Sequence, residues 1–270
     1  MATIWEETKT QTAKMKGKPF KEKLGYFWEY YKIHTIIFVG ALGILISIIH
    51  AFVTAKDYAL SVVLINSIAE SITDNGGEDI TASWISDLNN LIEFDQKEYE
   101  IAIDATLTMG GANSSANSEY ASMQKLAAMM SSQTLDIIIS NTPIFEQYSQ
   151  NEYFYDLRNI YTADQIDAFK EAGLLYYTDA ATFSDYDSNT IDVIDQSVYI
   201  VDHHDPESMK DPVPVGFFLL PTTRLGSCEL YSYFTDEDTF QGYKQEGVMG
   251  IPVNTPRLDN VLIAVDYFLN

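Results

Sequence analysis

Between Lys32 and Lys56 the chain carries an apolar run, Ile33–Ala55 (IHTIIFVGALGILISIIHAFVTA), that contains no Asp, Glu, Lys or Arg. Wound as a helix, such a run extends about 34 Å, against a bilayer hydrocarbon core of about 30 Å. The reading is a transmembrane helix at residues 33–55, preceded by a cytoplasmic tail and juxtamembrane segment at residues 1–32. A cleaved signal peptide competes with it, because Val53-Thr54-Ala55 has the small-residue spacing of a cleavage site. The run exceeds the usual signal core of about 7–15 residues and begins late in the chain, which favours a retained anchor. Tyr26, Phe27, Trp28, Tyr30 and Tyr31, with Lys21, Lys23 and Lys32 among them, read as an interfacial collar at the lipid headgroups.

Charge divides sharply at the same place. Residues 1–56 hold eight lysines and four acids, whereas residues 57–270 hold eight basic residues and 35 acids. The positive-inside rule therefore puts the N-terminus in the cytoplasm and the acidic remainder outside the cell membrane, as a single-pass protein. So acidic a domain repels phosphates, which argues against nucleic acid, and it favours neutral or cationic ligands over anionic ones. Cys228 is the only cysteine, so no internal disulfide is expected. With no cysteine just after the apolar run for a lipid to modify, the helix itself is the anchor.

Beyond the run, short apolar strands alternate with amphipathic helices. Tyr58–Asn66 (YALSVVLIN) is nearly continuous in its apolarity, as in a strand buried on both faces. Trp84, Ile85, Leu88, Leu91 and Ile92 recur at helical spacing, and Tyr99–Ala105 alternates like a strand. A helix from about Ser118 places Met123, Leu126, Ala127 and Met130 on one face, and Leu135–Ser140 (LDIIIS) is a third strand. Thr142 before Pro143 reads as an N-cap, and Thr162 with Gln165 as a capping box for a helix ending near Gly173. From Tyr176 to Pro214 the pattern weakens, broken by one strand, Ser197–Asp202. Val213–Leu220 reads as a strand that Pro214 confines to an edge or an end. Gly247–Val253 is the last strand, and Thr255 and Pro256 open a final helix. This order predicts an α/β domain over residues 57–270 with a mixed, mostly parallel sheet flanked by helices, and ligands at the carboxyl ends of the strands.

The stretch KLAAMMSSQTLDIIISNTPIFEQYSQNEYFYDLRNI, with the closing GIPVNTPRLDNVLIAVDYFLN, resembles extracellular solute-binding proteins of the type 2 periplasmic-binding fold. The likeness covers residues 58–174 and 213–270 and involves no catalytic motif. Its usual second lobe would be reduced here to an insert at residues 175–214. The resemblance implies ligand contacts after the strands: Asn66 and Ser67, then Asp104, Thr106 and Thr108, then Ser140 and Asn141. Thr142, at the same place, reads first as a helix cap, and Asp104 equally as a turn-forming carboxylate.

Other motifs point to different chemistry. Asp202-His203-His204, with Asp185 and Asp187 upstream, resembles the aspartate and Asp-His-His segments of a metal-dependent phosphoesterase family. The two segments lie too close in sequence for the strand–helix units that such a site needs. Adjacent histidines on an extended chain also point to opposite sides. Asp185, Asp187 and Asn189 begin a calcium-loop pattern that fails at Thr190, where glycine is required, and at Gln196, where the bidentate Glu is required. Gly110-Gly111 before a helix is a weak anion cradle. The expectation is therefore a non-catalytic, cofactor-free and metal-free domain, tethered to the lipid bilayer through residues 33–55. It would bind a small neutral or cationic solute or a peptide, and pair with a membrane transporter or another envelope protein. Two alternatives stay open: an interaction subunit without a small ligand, and a metal-dependent hydrolase built on the Asp-His-His segment.

Overall fold

The structure is a computed structural model. It describes residues 19–54, 56–109, 116–181, 202–231, 234–235, 242–243 and 246–270. The chain divides into two compact units, Met1–Ala55 and Lys56–Asn270.

In the first unit one helix, α1 (Phe20–Thr54), runs for 35 residues. Within it, Lys32–Ala51 has a mean hydropathy of 2.2 and is long and apolar enough to cross a membrane. None of that window is buried, and Ile36, Phe38, Ile44 and Ile49 all stand exposed. A helix that is apolar and exposed over this window suits lipid as its surroundings. The helix begins well before residue 33, so the juxtamembrane segment from Phe20 onward is part of the same helix.

The second unit is an α/β domain around a six-stranded mixed sheet of order β2-β1-β3-β8-β5-β4. Its strands are β1 (Asp57–Ile65), β2 (Tyr99–Leu107), β3 (Ile137–Asn141), β4 (Leu175–Asp179), β5 (Pro212–Phe218) and β8 (Gly247–Gly250). A separate two-stranded antiparallel sheet pairs β6 (Phe234–Thr235) with β7 (Gly242–Tyr243). β1 is parallel to both β2 and β3, while the β3–β8, β8–β5 and β5–β4 pairings are antiparallel. The sheet is thus mixed but not mostly parallel. Its parallel part is confined to one half, because β5, β8 and β4 return in alternating directions.

β1 has seven consecutive buried residues, Ala59–Ile65, as its near-continuous apolarity demands. Val62 and Leu64 face one core cluster, and Val63 and Ile65 the other. The first cluster is covered by α2 (Ile80–Leu91) and the C-terminal helix α7 (Leu258–Leu269). There the Trp84 and Phe268 rings meet edge to face at 6.0 Å. The second is covered by α3 (Ala116–Ser131) and α4 (Thr142–Ser149). On α3 the buried residues are Ser122 and Leu126, while Met123, expected on the inner face, is exposed. The helix thus gives only a narrow stripe to the second cluster, Leu126 with the partly buried Met129 and Met130. α5 (Ala163–Glu171) starts from the expected Thr162–Gln165 capping box and is followed by Gly173 at φ +69°.

Three local expectations shift. Thr142 is the first residue of α4 and Asn141 stands in the cap position, because Thr142 N and Oγ1 both donate to Glu246 O, each at 3.0 Å. Thr255 does not cap α7 directly. It donates to Asp136 Oδ1 at 2.5 Å and accepts from Arg257 N, two residues short of the helix. β5 is an interior strand rather than an edge, but Pro214 lies in its first half, where only β4 is paired and the missing N–H is not needed. The stretch 175–214, expected as an insert, contributes all of β4 and the start of β5 to the sheet.

Two polar and steric knots hold the layers. Asp136, fully buried, accepts from Ser61 N at 2.8 Å and from Arg257 Nε at 2.8 Å, which joins β1, the start of β3 and the approach to α7. Gly216 and Gly250 face each other across β5 and β8, and a Cβ on either would come within 2.7 Å of the Phe145 ring. That ring stacks on Phe154 at 4.3 Å and so seats α4 on the sheet.

Candidate functional site

The sheet's carboxyl edge is where β1, β2 and β3 end, β5 ends and β8 begins. Asn66 stands just after β1 at φ 60°, a left-handed conformation that Asn tolerates better than most residues. Its side chain grips the Met109 backbone twice: Nδ2 donates to Met109 O at 2.7 Å and Oδ1 accepts from Met109 N at 2.8 Å. Nδ2 also reaches Asn141 Oδ1 at 3.1 Å. These amides therefore tie the three parallel strand ends to one another. Ser67 Oγ and Ser140 Oγ are buried and find no hydrogen-bond partner among the described residues.

Asp104 is held in a different way. Its carboxylate accepts from Thr106 N and Thr106 Oγ1 and pairs with Lys125 Nζ of α3 at 2.5 Å. Burial works against the charge, but the Lys125 and Thr106 hydrogen bonds outweigh it and keep the carboxyl below its ordinary value. Thr108 N donates to Ser122 Oγ at 3.2 Å. So Asn66, Asn141 and Asp104 have intramolecular partners, Thr106 and Thr108 are exposed on β2 and just beyond it, and the buried Ser67 and Ser140 hydroxyls lack partners among the described residues.

The opening at this edge lies further along the sheet. A pocket of about 660 Å³ is bounded by Thr142, Phe218, Leu225, Leu230, Tyr231 and Glu246, among others. None of the seven residues expected after the strands is among its described lining residues. A one-turn helix, α6 (Arg224–Ser227), forms one wall, with Thr223 as its N-cap accepting from Gly226 N at 3.1 Å. Gly226 permits that turn, since a Cβ there would sit 1.9 Å from Leu220 O. Tyr231 packs on Gly247 at the start of β8, is 5 % exposed, and its hydroxyl has no partner among the described residues. Burial pushes that phenol well above its ordinary value, so it stays neutral and can donate one hydrogen bond. Beside it Glu229, a lining residue, holds the left-handed φ of 52°. Local sequence offers little signal for this wall: a strand end at Phe218, a Thr223 cap and a lone Tyr231 from separate stretches are joined only by the fold.

The Asp202–Asp205 segment borders this region. His203 Nδ1 lies 2.8 Å from Tyr177 O and its ring stacks on Tyr176, with Nε2 3.8 Å from Glu146 Oε1. The His204 ring stacks on Phe218 at 3.7 Å and its Nε2 lies 3.0 Å from Glu246 Oε2. Both imidazoles thus stack on rings of one core cluster instead of facing opposite ways, because this segment turns and is not an extended strand. Asp202 Oδ1 accepts from His204 N, a turn contact. Asp185, Asp187, Asn189, Thr190, Gln196, the Gly110-Gly111 pair and residues 197–201 lie outside the described residues. Among the described residues no group of three or more His, Cys, Asp or Glu side chains is placed to hold a metal ion.

Asp179, at the end of β4, is a buried carboxylate that sequence reasoning passes over. It accepts from Lys210 N, Asp211 N and Ala181 N and so fixes the return of the chain into β5. Burial raises the Cys228 thiol against the opposing pull of Ser227 and Arg224, and its Sγ donates to Arg224 O at 3.4 Å. No family model matches the chain, and no curated protein or solved structure matches it either.

Proposed function

We propose that residues 57–270 form a non-catalytic, extracytoplasmic binding domain for a small neutral or cationic solute or a peptide. In this reading α1 holds the domain to the cell membrane as a single pass with its N-terminus inside. The observation that carries the proposal is the largely apolar pocket at the carboxyl edge of the sheet. Its size lies within the range of about 300–1,000 Å³ common for small-ligand sites, and its place is where α/β sheets bind ligands. The resemblance to type 2 periplasmic solute-binding proteins implies ligands at the same edge of the sheet, although its seven expected contact residues lie outside the pocket's described lining. The domain is then a reduced, tethered relative of them that works beside a membrane transporter or another envelope protein.

Thermal unfolding of the detergent-solubilised full chain against sugars, short peptides, polyamines and divalent metals tests this, since a ligand of the folded state raises the midpoint. A rise with one solute or peptide class is expected. A rise with divalent metal alone overturns the reading in favour of the Asp-His-His segment. A second reading, an interaction subunit, has its own observation: Tyr120 and Met123, one turn apart on α3, are 64 % and 52 % exposed. No shift with any solute, together with a protein captured from native membranes and lost in a Tyr120→Ser, Met123→Ser variant, supports that second reading instead.

A further inference from the structure

We infer that Asn75 is a site of covalent modification, spontaneous deamidation through a succinimide, and that the Asp74 carboxylate guards it. Asn75-Gly76 lies at the tip of a five-residue loop, residues 74–78, that leads into α2. Thr73 bridges Asp79 across its base, and Asp74 N donates to Glu78 O at 2.8 Å. Asn75, Gly76 and Gly77 are all exposed, so water reaches the reacting atoms. In the reaction the Gly76 amide loses its proton to solvent base, and its nitrogen attacks Asn75 Cγ. A C–N bond forms there, the bond to the side-chain nitrogen breaks, and that nitrogen leaves as ammonia. Water then opens the imide ring at either carbonyl, giving aspartate or, with the backbone rerouted through the side chain, isoaspartate. Nothing is oxidised or reduced, and water is the only co-reactant. Glycine in second place suits the attack, because it has no Cβ to hinder ring closure.

The folded loop holds this chemistry back. Gly76 N donates to Asp74 Oδ1 at 2.7 Å, and Glu78 N donates to the same oxygen at 3.1 Å. A hydrogen bond to a carboxylate stabilises the N–H, and the adjacent negative charge opposes an amide anion. Gly77 N also donates to Asp74 O at 3.1 Å, with Gly77 at φ +81°, which fixes the backbone around the reacting pair. Deamidation adds a negative charge beside Asp74, Glu78 and Asp79. In its isoaspartate form it also lengthens a loop whose closure places Asp79, the N-cap of α2.

Peptide mapping by mass spectrometry of the detergent-solubilised full chain, held at physiological pH and temperature, reads the conversion at Asn75. The urea-unfolded chain is expected to convert about tenfold faster than the folded one, a factor typical of one hydrogen bond to a charged group. Folded Asp74→Ala recovers most of that factor, and Asp74→Asn, which keeps an acceptor without the charge, falls between. Gly76→Ala slows the urea-unfolded chain by hindering ring closure. Asn66, whose amide is gripped by the Met109 backbone, reports any wider unfolding and stays unconverted in folded Asp74→Ala. Equal rates in folded wild type and folded Asp74→Ala, or conversion at Asn66 rising in step with Asn75, overturn the guarding role of Asp74. An unchanged rate in Gly76→Ala overturns the succinimide route, and no conversion of Asn75 in urea overturns the site itself.

Discussion

In the parallel half of the sheet, β2-β1-β3, the amides and the carboxylate near the strand ends are engaged by their own neighbours, whereas the antiparallel half, β8-β5-β4, borders a pocket of about 660 Å³. The contrast follows from strand direction. Parallel strands all leave the sheet at one edge, about 4.8 Å apart, so side chains just past their ends reach each other. Asn66 does so with Met109 and Asn141. In the antiparallel half every second strand begins at that edge instead of ending there. The exits are then about 10 Å apart, and a returning segment such as α6 must stand off from the sheet. Direction alone opens the space, and apolar side chains finish it.

The largest expected effect tests how far the parallel half depends on its polar ties. Asp136→Ala should lower the unfolding free energy by about 3–5 kcal/mol, because Arg257 and Ser61 N lose a buried carboxylate. Urea unfolding of the full chain measures it, and a loss below about 1 kcal/mol would break the comparison. Gly250→Ala probes the other half, where steric fit and not hydrogen bonding sets the packing. The new methyl meets Phe145 at 2.6 Å, so a loss of about 1–3 kcal/mol is expected by the same assay.

Asn66→Ala should cost about 1–2 kcal/mol, from the Met109 and Asn141 contacts and from a left-handed backbone that alanine resists. The smallest effect is electrostatic. The carboxyl of Asp104 lies below its ordinary value of 3.8 when folded, so its contribution is fully present above that value and disappears as pH falls through the lower folded one. With Lys125 half exposed, the contribution is about 0.5 kcal/mol. Acid unfolding of Asp104→Asn should therefore be flatter below pH 3.8 than that of the wild type, and an identical profile would remove the pair from the comparison.

The sequence pattern carries the succession of elements through α5 because each signal there is local. A strand buried on both faces, a capping box at Thr162 and a proline at the start of α4 need no tertiary information. Two threonines mislead for the opposite reason: Thr142 and Thr255 look like caps, but Glu246 O and Asp136, about a hundred residues away, take their hydroxyls. β4 (LYYTD) hides in a polar stretch, since the buried Asp179 is held in part by amides of the returning chain. Strand direction is equally non-local, which is why the sheet reads as mostly parallel until β5 and β8 are in place. The pocket is legible in no single segment, since its wall combines Thr142, Phe218, Tyr231 and Glu246.

The facing glycines beneath Phe145 bear on ancestry as well as on packing. A methyl at 216 or 250 needs a smaller ring at 145, and a smaller ring leaves a void that only a larger neighbour refills. The three positions therefore behave as one inherited character. In any relative that keeps this sheet order, a change at one of them should come with a compensating change at another, which gives distant kin a recognisable mark even after the rest of the sequence has drifted.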